Sequence, residues 1–241
     1  MLYYWYIMRD IVLIPTYNEK ENIHALIKDI FVIAPDIFVR VVDDNSPDGT
    51  ANIVQELMNT YPNLSIMRRA GKEGLGIAYI DAFRAVLAES NIRSLTMMDA
   101  DFSHDPKYLP EMLRSIDNND LVVGARYLAG GGTEGWEWYR KTLSRFGNLY
   151  CRLITRIPVH DCTGGFNCIR TDMLRKIDLV ALSQFKGYAF MMALKYHLWR
   201  AHARIAEIPI IFKNRTLGVS KISQNIVREG ILAPWRIIMP H

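Results

Sequence analysis

The chain is poor in several features that would point to simple functions. It has three cysteines, Cys151, Cys162 and Cys168, and no Cys-x-x-Cys pair. An odd number without that spacing argues against a disulfide framework and against a zinc site, and for a reducing, cytoplasmic compartment. Long apolar runs are missing as well. Residues 1–8 are aromatic and apolar but too short to span a bilayer, and no basic stretch precedes them. Residues 1–9 therefore read as an N-terminal extension rather than a signal peptide, and a soluble or peripheral protein is expected. Charge of one sign is not in large excess: a net charge of +4 and a pI near 8.9 do not suit a dedicated nucleic-acid binder, so no nucleic acid is expected as partner. They do suit anionic substrates or an anionic membrane surface. The glycine-rich stretch at residues 70–78 lacks the phosphate-loop spacing and its Gly-Lys-Ser/Thr ending, which removes an NTPase reading. There is no internal repeat, low-complexity tract or long linker.

What remains is 241 residues, 50% hydrophobic, enough to bury one substantial core. Residues 10–15 form a β-branched run stopped by proline, and residues 21–30 have apolar positions at helical spacing, with Thr16 or Asn18 available as cap. Residues 38–50 repeat the pattern: strand, acidic end, turn, then a helix from Ala51. Two βα units in succession predict a parallel sheet with ligands at the carboxyl ends of its strands. Asp43 and Asp44 lie at such an end, where carboxylates can accept hydrogen bonds from a ribose or a base; turn chemistry explains the following residues equally well. A weaker strand is expected at residues 64–68, and helices at 78–88 and 106–115.

The centre of the chain is residues 94–104. An apolar strand ends in Asp99 and Asp101, separated by Ala100, and in extended backbone residues two apart share a face. Two neighbouring carboxylates repel each other. A hard divalent cation such as Mg²⁺ or Mn²⁺ relieves that repulsion, and it in turn suits a diphosphate. His104 reads as a turn residue behind the acids. Arg126 ends a further strand at residues 121–127. From 134 to 156, Leu143, Phe146, Leu149, Tyr150, Leu153 and Ile154 recur at helical spacing among Arg140, Lys141, Arg145, Arg152 and Arg156, after Trp136, Trp138 and Tyr139. A basic amphipathic helix with tryptophans at one end suits a bilayer interface. Residues 161–168 read as a tight turn entering a short strand, residues 205–212 as an edge strand, residues 215–221 as a basic loop able to close over phosphates, and residues 222–234 as a final amphipathic helix.

The ordered set Pro15-Thr16-Tyr17-Asn18-Glu19, Val42-Asp43-Asp44-Asn45-Ser46-Pro47-Asp48-Gly49-Thr50, Asp99-Ala100-Asp101, Gly124-Ala125-Arg126-Tyr127, the 161–166 turn and the 215–221 loop resembles the dolichol-phosphate mannose synthases and their bacterial polyprenyl-phosphate relatives, within the inverting GT-A glycosyltransferases. The resemblance implies an α/β, Rossmann-like three-layer sandwich with a mostly parallel central sheet at residues 10–221, an interface helix at about 134–156, and a C-terminal amphipathic tail at 222–241. It implies that Pro15, Tyr17, Glu19, Val42 and Asp44 cradle the nucleoside of GDP-mannose. Asp99, Asp101 and Ser103 would serve the metal and diphosphate, with Ala100 lining the pocket. Arg126, Arg140 and Ser144 would receive the phosphate of a polyprenyl acceptor, and Arg215 and Lys221 would close on the donor. The expected reaction is hexosyl transfer with inversion, peripheral on the cytoplasmic face of a membrane, with room for a membrane-anchoring partner protein. UDP-glucose or UDP-N-acetylhexosamine as donor, a saccharide acceptor, or a non-catalytic scaffold are the alternatives. The chain departs from its relatives at Asn167, where they carry a basic residue, at Met191 and Ala193, where they carry Gln and Glu, and at Val219, where an acid is frequent.

Overall fold

The computed structural model describes residues 8–187, 189–214 and 224–239, with the backbone alone for 224–229. The chain runs β1 (Arg9–Thr16), α1 (Lys20–Ile33), β2 (Phe38–Asp43), α2 (Thr50–Leu57), β3 (Leu64–Arg68), α3 (Leu75–Ala88) and β4 (Ile92–Met97). A 3-10 turn (Pro106–Tyr108) then leads into α4 (Leu109–Ser115) and β5 (Leu121–Ala125). After these come β6 (Gly132–Glu134), the long α5 (Trp138–Thr155), β7 (Asn167–Arg170), the short α6 (Thr171–Leu174) and α7 (Leu179–Leu182), α8 (Ala189–Arg200), β8 (Ile205–Pro209), β9 (Ile211–Lys213) and α9 (Gln224–Ile238).

Seven strands form one sheet in the order β3-β2-β1-β4-β7-β5-β8, and β6 pairs with β9 in a second, two-stranded sheet. All pairs in the large sheet are parallel except those of β7, which runs antiparallel between β4 and β5. Both faces are covered, so the inner strands are continuous apolar runs. Along β1, Ile11 and Leu13 join one core with Tyr79 and Phe83 of α3 and Phe190 and Leu194 of α8. Val12 and Ile14 join the other, with Ile23, Leu26 and Ile27 of α1 and Met112 of α4. This alternation produces the three-layer sandwich. α9 belongs to the first of these cores through Ala233 and Ile237.

Three local readings change, and one helix carried no signal. The α1 amino terminus follows Glu19, which makes no side-chain cap; Thr16 stays in the strand with its hydroxyl on Asp43, and Asn18 adopts a left-handed φ of 61°. Residues 205–212 are two strands rather than one, because β8 pairs with β5 and, past Pro209, β9 pairs with β6. α9 continues through Pro234 to Ile238. α8 carries no amphipathic signature because residues 189–195 are all buried, which hides helical periodicity.

Two glycines test the packing. Gly76 sits where α3 meets the backbone of the α7–α8 connection: a Cβ there would lie 2.2 Å from the Phe185 carbonyl oxygen. Gly76→Ala is expected to lower Tm by roughly 5 °C, about 2 kcal/mol of overpacking. Gly147, inside α5 with nothing within 4 Å of such a Cβ, is the control. Its replacement by alanine should raise stability by roughly 0.5–1 kcal/mol through helix propensity. Thermal unfolding of both variants reads the difference.

Candidate active site

The site gathers at the carboxyl ends of β1, β2, β4 and β5. On the β1–β2 side, the loop after β2 builds a support for the loop after β1. Asp43, 1% exposed, accepts from Thr16 Oγ1 at 2.9 Å, Ser46 N at 2.9 Å and Ser46 Oγ at 2.6 Å. Ser46 Oγ in turn accepts from Asn18 N, Thr50 Oγ1 from Glu19 N, and Asp48 Oδ2 from Lys20 N. The amides that lead into α1, up to that of Lys20, are thus met by side chains of residues 46–50 rather than by a side-chain cap of its own. Asp48 is held below the usual carboxylate range: burial raises it, but hydrogen bonds from Thr50 and Lys20 outweigh that.

Asp44 is buried beside it and paired with Arg69, which also reaches Asp81 at 2.9 Å and Glu73 at 3.1 Å. Burial pushes the Asp44 carboxyl up, with Arg69 pulling it back. Arg69 is a residue that sequence reasoning missed, because it lies one place past β3 in an unremarkable Arg-Arg pair. Tyr17 carries the Lys72 ammonium 4.1 Å above its ring. Glu19 accepts from Asn22 Nδ2 at 3.0 Å, while Pro15 and Val42 are register partners across β1 and β2. Of the five expected nucleoside residues, Pro15 and Val42 thus lie at the ends of the adjacent strands β1 and β2, and Tyr17, Glu19 and Asp44 on the loops that follow them.

At β4 the strand stops at Met97, and Asp99 and Asp101 follow in the irregular segment beyond it. His104 closes that segment: its Nδ1 accepts the Asp99 N–H at 3.0 Å. The charges of Asp99, Asp101, Arg126 and Asp161 all act on its imidazole. Burial dominates over these charges and pulls the ring below its usual pKa, so it stays neutral. His104 stacks on Phe166 at 4.9 Å and meets the Phe212 edge at 5.4 Å. Phe102, between Asp101 and Ser103, adopts a left-handed φ of 61°, a conformation that costs a bulky side chain on the order of 1 kcal/mol and clusters at functional sites.

Asp101 is 3% exposed and accepts Ser103 N at 3.0 Å; the Asp99 side chain is 32% exposed; Ala100 is buried. Two carboxylates and the Ser103 hydroxyl are hard oxygen donors, a set that fits Mg²⁺ or Mn²⁺. Among the described residues no group of three or more His, Cys, Asp and Glu side chains is placed to hold a metal ion. A cation here would share its remaining positions with ligand oxygens or water.

On the β5 side, Arg126 is 7% exposed and bound to Asp161 by two bonds of 2.7 Å, from Nε to Oδ2 and from Nη2 to Oδ1. Its own N–H adds a third to Oδ2, and Nη2 reaches Thr163 Oγ1 at 2.8 Å. Burial would raise the Asp161 carboxyl, but the charge and hydrogen bonds of Arg126, with the Lys195 ammonium behind them, hold it below the usual range. Asn148 of α5 accepts Cys162 N at 2.7 Å and Thr163 N at 3.2 Å on Oδ1, clamping the same turn. Asp161 stood within a motif without a role, and Asn148 carried no signal, since its function exists only once α5 crosses the turn.

Arg126 lies 5.6 Å from the Trp136 ring and Arg140 lies 3.9 Å from it. Arg140 Nη1 also donates to Asn214 Oδ1 at 3.4 Å. Ser144 accepts the Tyr127 hydroxyl at 2.6 Å. The three residues expected at an acceptor phosphate are thereby grouped around β5, Trp136 and α5. Arg215, Lys221 and Val219 lie outside the described residues. Asn214, just before Arg215, is joined to Glu134 and Gly135, and the neighbouring Lys213 donates its N–H to Ser103 O. Asn167, Met191 and Ala193 are all buried behind the 161–165 turn, with Met191 Sδ 4.0 Å from Asn167 Nδ2.

Asp161→Asn leaves the Arg126 guanidinium buried without its counter-charge. The variant is expected to lose roughly 3–5 kcal/mol in denaturant unfolding at pH 7. Because the folded carboxyl titrates below the unfolded one, its stabilisation is present above the unfolded pKa and is lost as pH falls through the depressed one. The difference between wild type and variant should therefore shrink on acidification below about pH 4.

Comparison with known proteins places this geometry. The profile of glycosyl transferase family 2 matches residues 11–178. Polyprenol monophosphomannose synthase of Mycolicibacterium smegmatis is 39% identical over 233 residues, covering 95% of this chain and 87% of that protein. Undecaprenyl-phosphate mannosyltransferase of Micrococcus luteus is 40% identical over 225 residues, covering 93% and 92%. Among solved structures, glucosyl-3-phosphoglycerate synthase from Mycobacterium tuberculosis, in complex with Mn²⁺, UDP and phosphoglyceric acid, superimposes with a TM-score of 0.69 at 16% identity, over 97% of this chain and 80% of that one. Mannosyl-3-phosphoglycerate synthase from Rubrobacter xylanophilus gives 0.66 at 18% identity, over 96% and 72%. These structures share the GT-A-like architecture of a mostly parallel sheet between helical layers. With its family profile, its relatives and its sheet in agreement, the chain belongs to glycosyl transferase family 2.

Proposed function

We propose that this glycosyltransferase moves mannose from GDP-mannose to a polyprenyl phosphate with inversion, working peripherally at the cytoplasmic face of a membrane. The observation that carries the reading is the adjacency of the acids after β4 to the Arg126–Trp136–Arg140 array at the root of an apolar, basic helix. The two relatives near 40% identity, named for polyprenol and undecaprenyl-phosphate mannosyl transfer, support it further.

On this reading Tyr17, Glu19 and Asp44, with Pro15 and Val42, hold the nucleoside, and Arg69 fixes Asp44 in place. Asp99, Asp101 and Ser103 would hold a Mg²⁺ or Mn²⁺ ion, which when bound supplies positive charge beside the leaving diphosphate. Arg215 and Lys221 would add to that charge. Arg126, Arg140 and Ser144 orient the acceptor phosphate. A phosphate monoester has a second pKa near 6 and arrives largely as a dianion at neutral pH, so its oxygen needs no general base. The His104 lone pair at Nδ1 is already committed to the Asp99 amide, which fits a site that orients an anion rather than deprotonating an alcohol. The acceptor oxygen attacks the anomeric carbon in line as the bond to the diphosphate breaks.

α5 presents Trp138, Tyr139, Leu143, Phe146, Leu149 and Leu153 to solvent, with Trp138 78% and Leu153 70% exposed. α9 extends that surface with Ile231, Leu232 and Trp235, Met239 follows just past its end, and the helix is tied to α5 by bonds from Tyr150 Oη to Ile231 O and from Trp235 Nε1 to Tyr150 Oη. Apolar side chains interleaved with Lys141, Arg145 and Arg152 suit an anionic lipid surface. No helix among the described residues is long and apolar enough to cross a membrane.

The protein incubated with polyprenyl-phosphate vesicles and labelled GDP-mannose, UDP-glucose or UDP-N-acetylhexosamine should label the lipid fraction from GDP-mannose alone. Label confined to water-soluble glycan overturns the acceptor. Asp101→Ala should lower turnover by roughly 100-fold or more with unchanged circular dichroism. Arg140→Ala should raise KM for the lipid about tenfold while leaving the donor KM in place, the loss of one charge-assisted contact. In flotation assays, the double variant Phe146→Glu, Leu153→Glu should bind anionic vesicles roughly tenfold or more weakly.

A further inference from the structure

Lys195 of α8 is fully buried, and among the described residues its ammonium meets no carboxylate at ion-pair distance. Its Nζ donates instead to two backbone carbonyls of the 161–165 turn, Gly164 O at 2.7 Å and Cys162 O at 3.2 Å. Burying an ammonium costs several kcal/mol unless its protons are met, so a lysine placed here is expected to have a purpose beyond packing. Three other elements grip the same turn. Arg126 holds the Asp161 carboxylate, Asn148 holds the amides of Cys162 and Thr163, and Asn167 Nδ2 shares Gly164 O at 3.1 Å. The far side of the turn touches the acid cluster: a Cβ built on Gly165 would lie 3.3 Å from His104 Cε1 and 3.8 Å from Asp99 Oδ1.

We propose that Lys195 is a positioning residue for the transfer reaction: its buried ammonium fixes the 161–165 turn from behind and, through Asp161, sets where the Arg126 guanidinium stands relative to Asp99. The inference rests on the function proposed above for the site, in that Arg126 receives the acceptor phosphate. Lys195 itself touches no reacting atom. Its charge also faces Asp161 and Cys162 on the turn, Arg126 after β5 and Cys151 on α5. Burial pulls its pKa down to about 8, against the pull of Asp161, Cys162 and Cys151 in the other direction, while Arg126 adds to the lowering. Below that pH both carbonyls receive charge-assisted bonds. Above it the positive charge behind Asp161 disappears, and the turn and Arg126 relax together.

The test uses the full-length protein as wild type, Lys195→Met and Lys195→Gln. An alkaline limb near pH 8 is expected in the wild-type rate profile; expected in Lys195→Met are its loss, a kcat about tenfold lower and KM for GDP-mannose within about twofold. The second readout needs no turnover: the Arg126 Nε–H resonance of the wild type should titrate between about pH 7 and 9, and should be displaced and pH-independent over that range in either variant. A wild-type alkaline limb retained in Lys195→Met, or an Arg126 resonance that neither titrates nor moves, overturns the proposal. Absence of transfer from any donor by the wild type would defeat the functional reading instead, and the resonance would still decide the role of Lys195. Should Lys195→Met fail to fold, the wild-type titration and Lys195→Gln decide it.

Discussion

The Arg126–Asp161 ion pair is the interaction on which the site depends. Both side chains are nearly sealed from water, and such a pair is favourable only if its remaining donors and acceptors are also met. Here they are met by the 161–164 turn and by the arginine's own amide: Asp161 accepts from Arg126 N and Gly164 N, and Arg126 donates to Thr163 Oγ1. The pair and the turn therefore specify each other. A Cβ on Gly164 would meet the Asp161 carboxylate at 3.1–3.2 Å, so the turn closes this tightly only with glycine at that place. Beyond this network the guanidinium lies against the aromatic rings of Tyr127, Trp136 and Phe212, at 5.3, 5.6 and 5.4 Å.

The opposite side of the site is organised by a weaker but similar logic. No single charge pair closes the β1 and β2 loops. Short polar side chains from residues 43–50 take up the amides of residues 18–20, so the loop that follows one strand is shaped by the loop that follows its neighbour. Asn18 and Asn45, both left-handed with φ of 61° and 59°, make the two parallel exits alike. Asparagine tolerates that conformation better than other non-glycine residues, which accounts for its place at both corners.

Much of this was legible in the sequence, for identifiable reasons. Amphipathic periodicity gave α1 and α5 because one face of each stays exposed, while β1 and β2 were legible as short apolar runs stopped by proline or by acids. The acids at Asp99 and Asp101 stood out by chemistry, and His104, read as a turn residue behind them, bonds the Asp99 amide. α8 was illegible because its first seven residues are buried on every side, and Lys195 reads there as an ordinary surface lysine. Arg69 and Asn148 were missed because each acts across a long sequence separation, on Asp44 and on the 162–163 amides, and nothing local marks such a partner. Pairing is what short motifs leave out.

The direction of β7 then explains why one turn can serve both halves. In an otherwise parallel arrangement a strand delivers its carboxyl end to the ligand face and its amino end to the far side. β7 is reversed, with Asn167 in register with Met97 of β4 and Val123 of β5. Its amino end therefore lies level with the carboxyl ends of its neighbours, and the turn that precedes it arrives between the acids after β4 and the arginine after β5. A parallel strand in that slot would have sent residues 161–165 to the opposite edge of the sheet. The single antiparallel insertion is thus what allows a backbone turn, held by Asn148 and Lys195 from two helices, to set the distance between an acid cluster and a buried guanidinium.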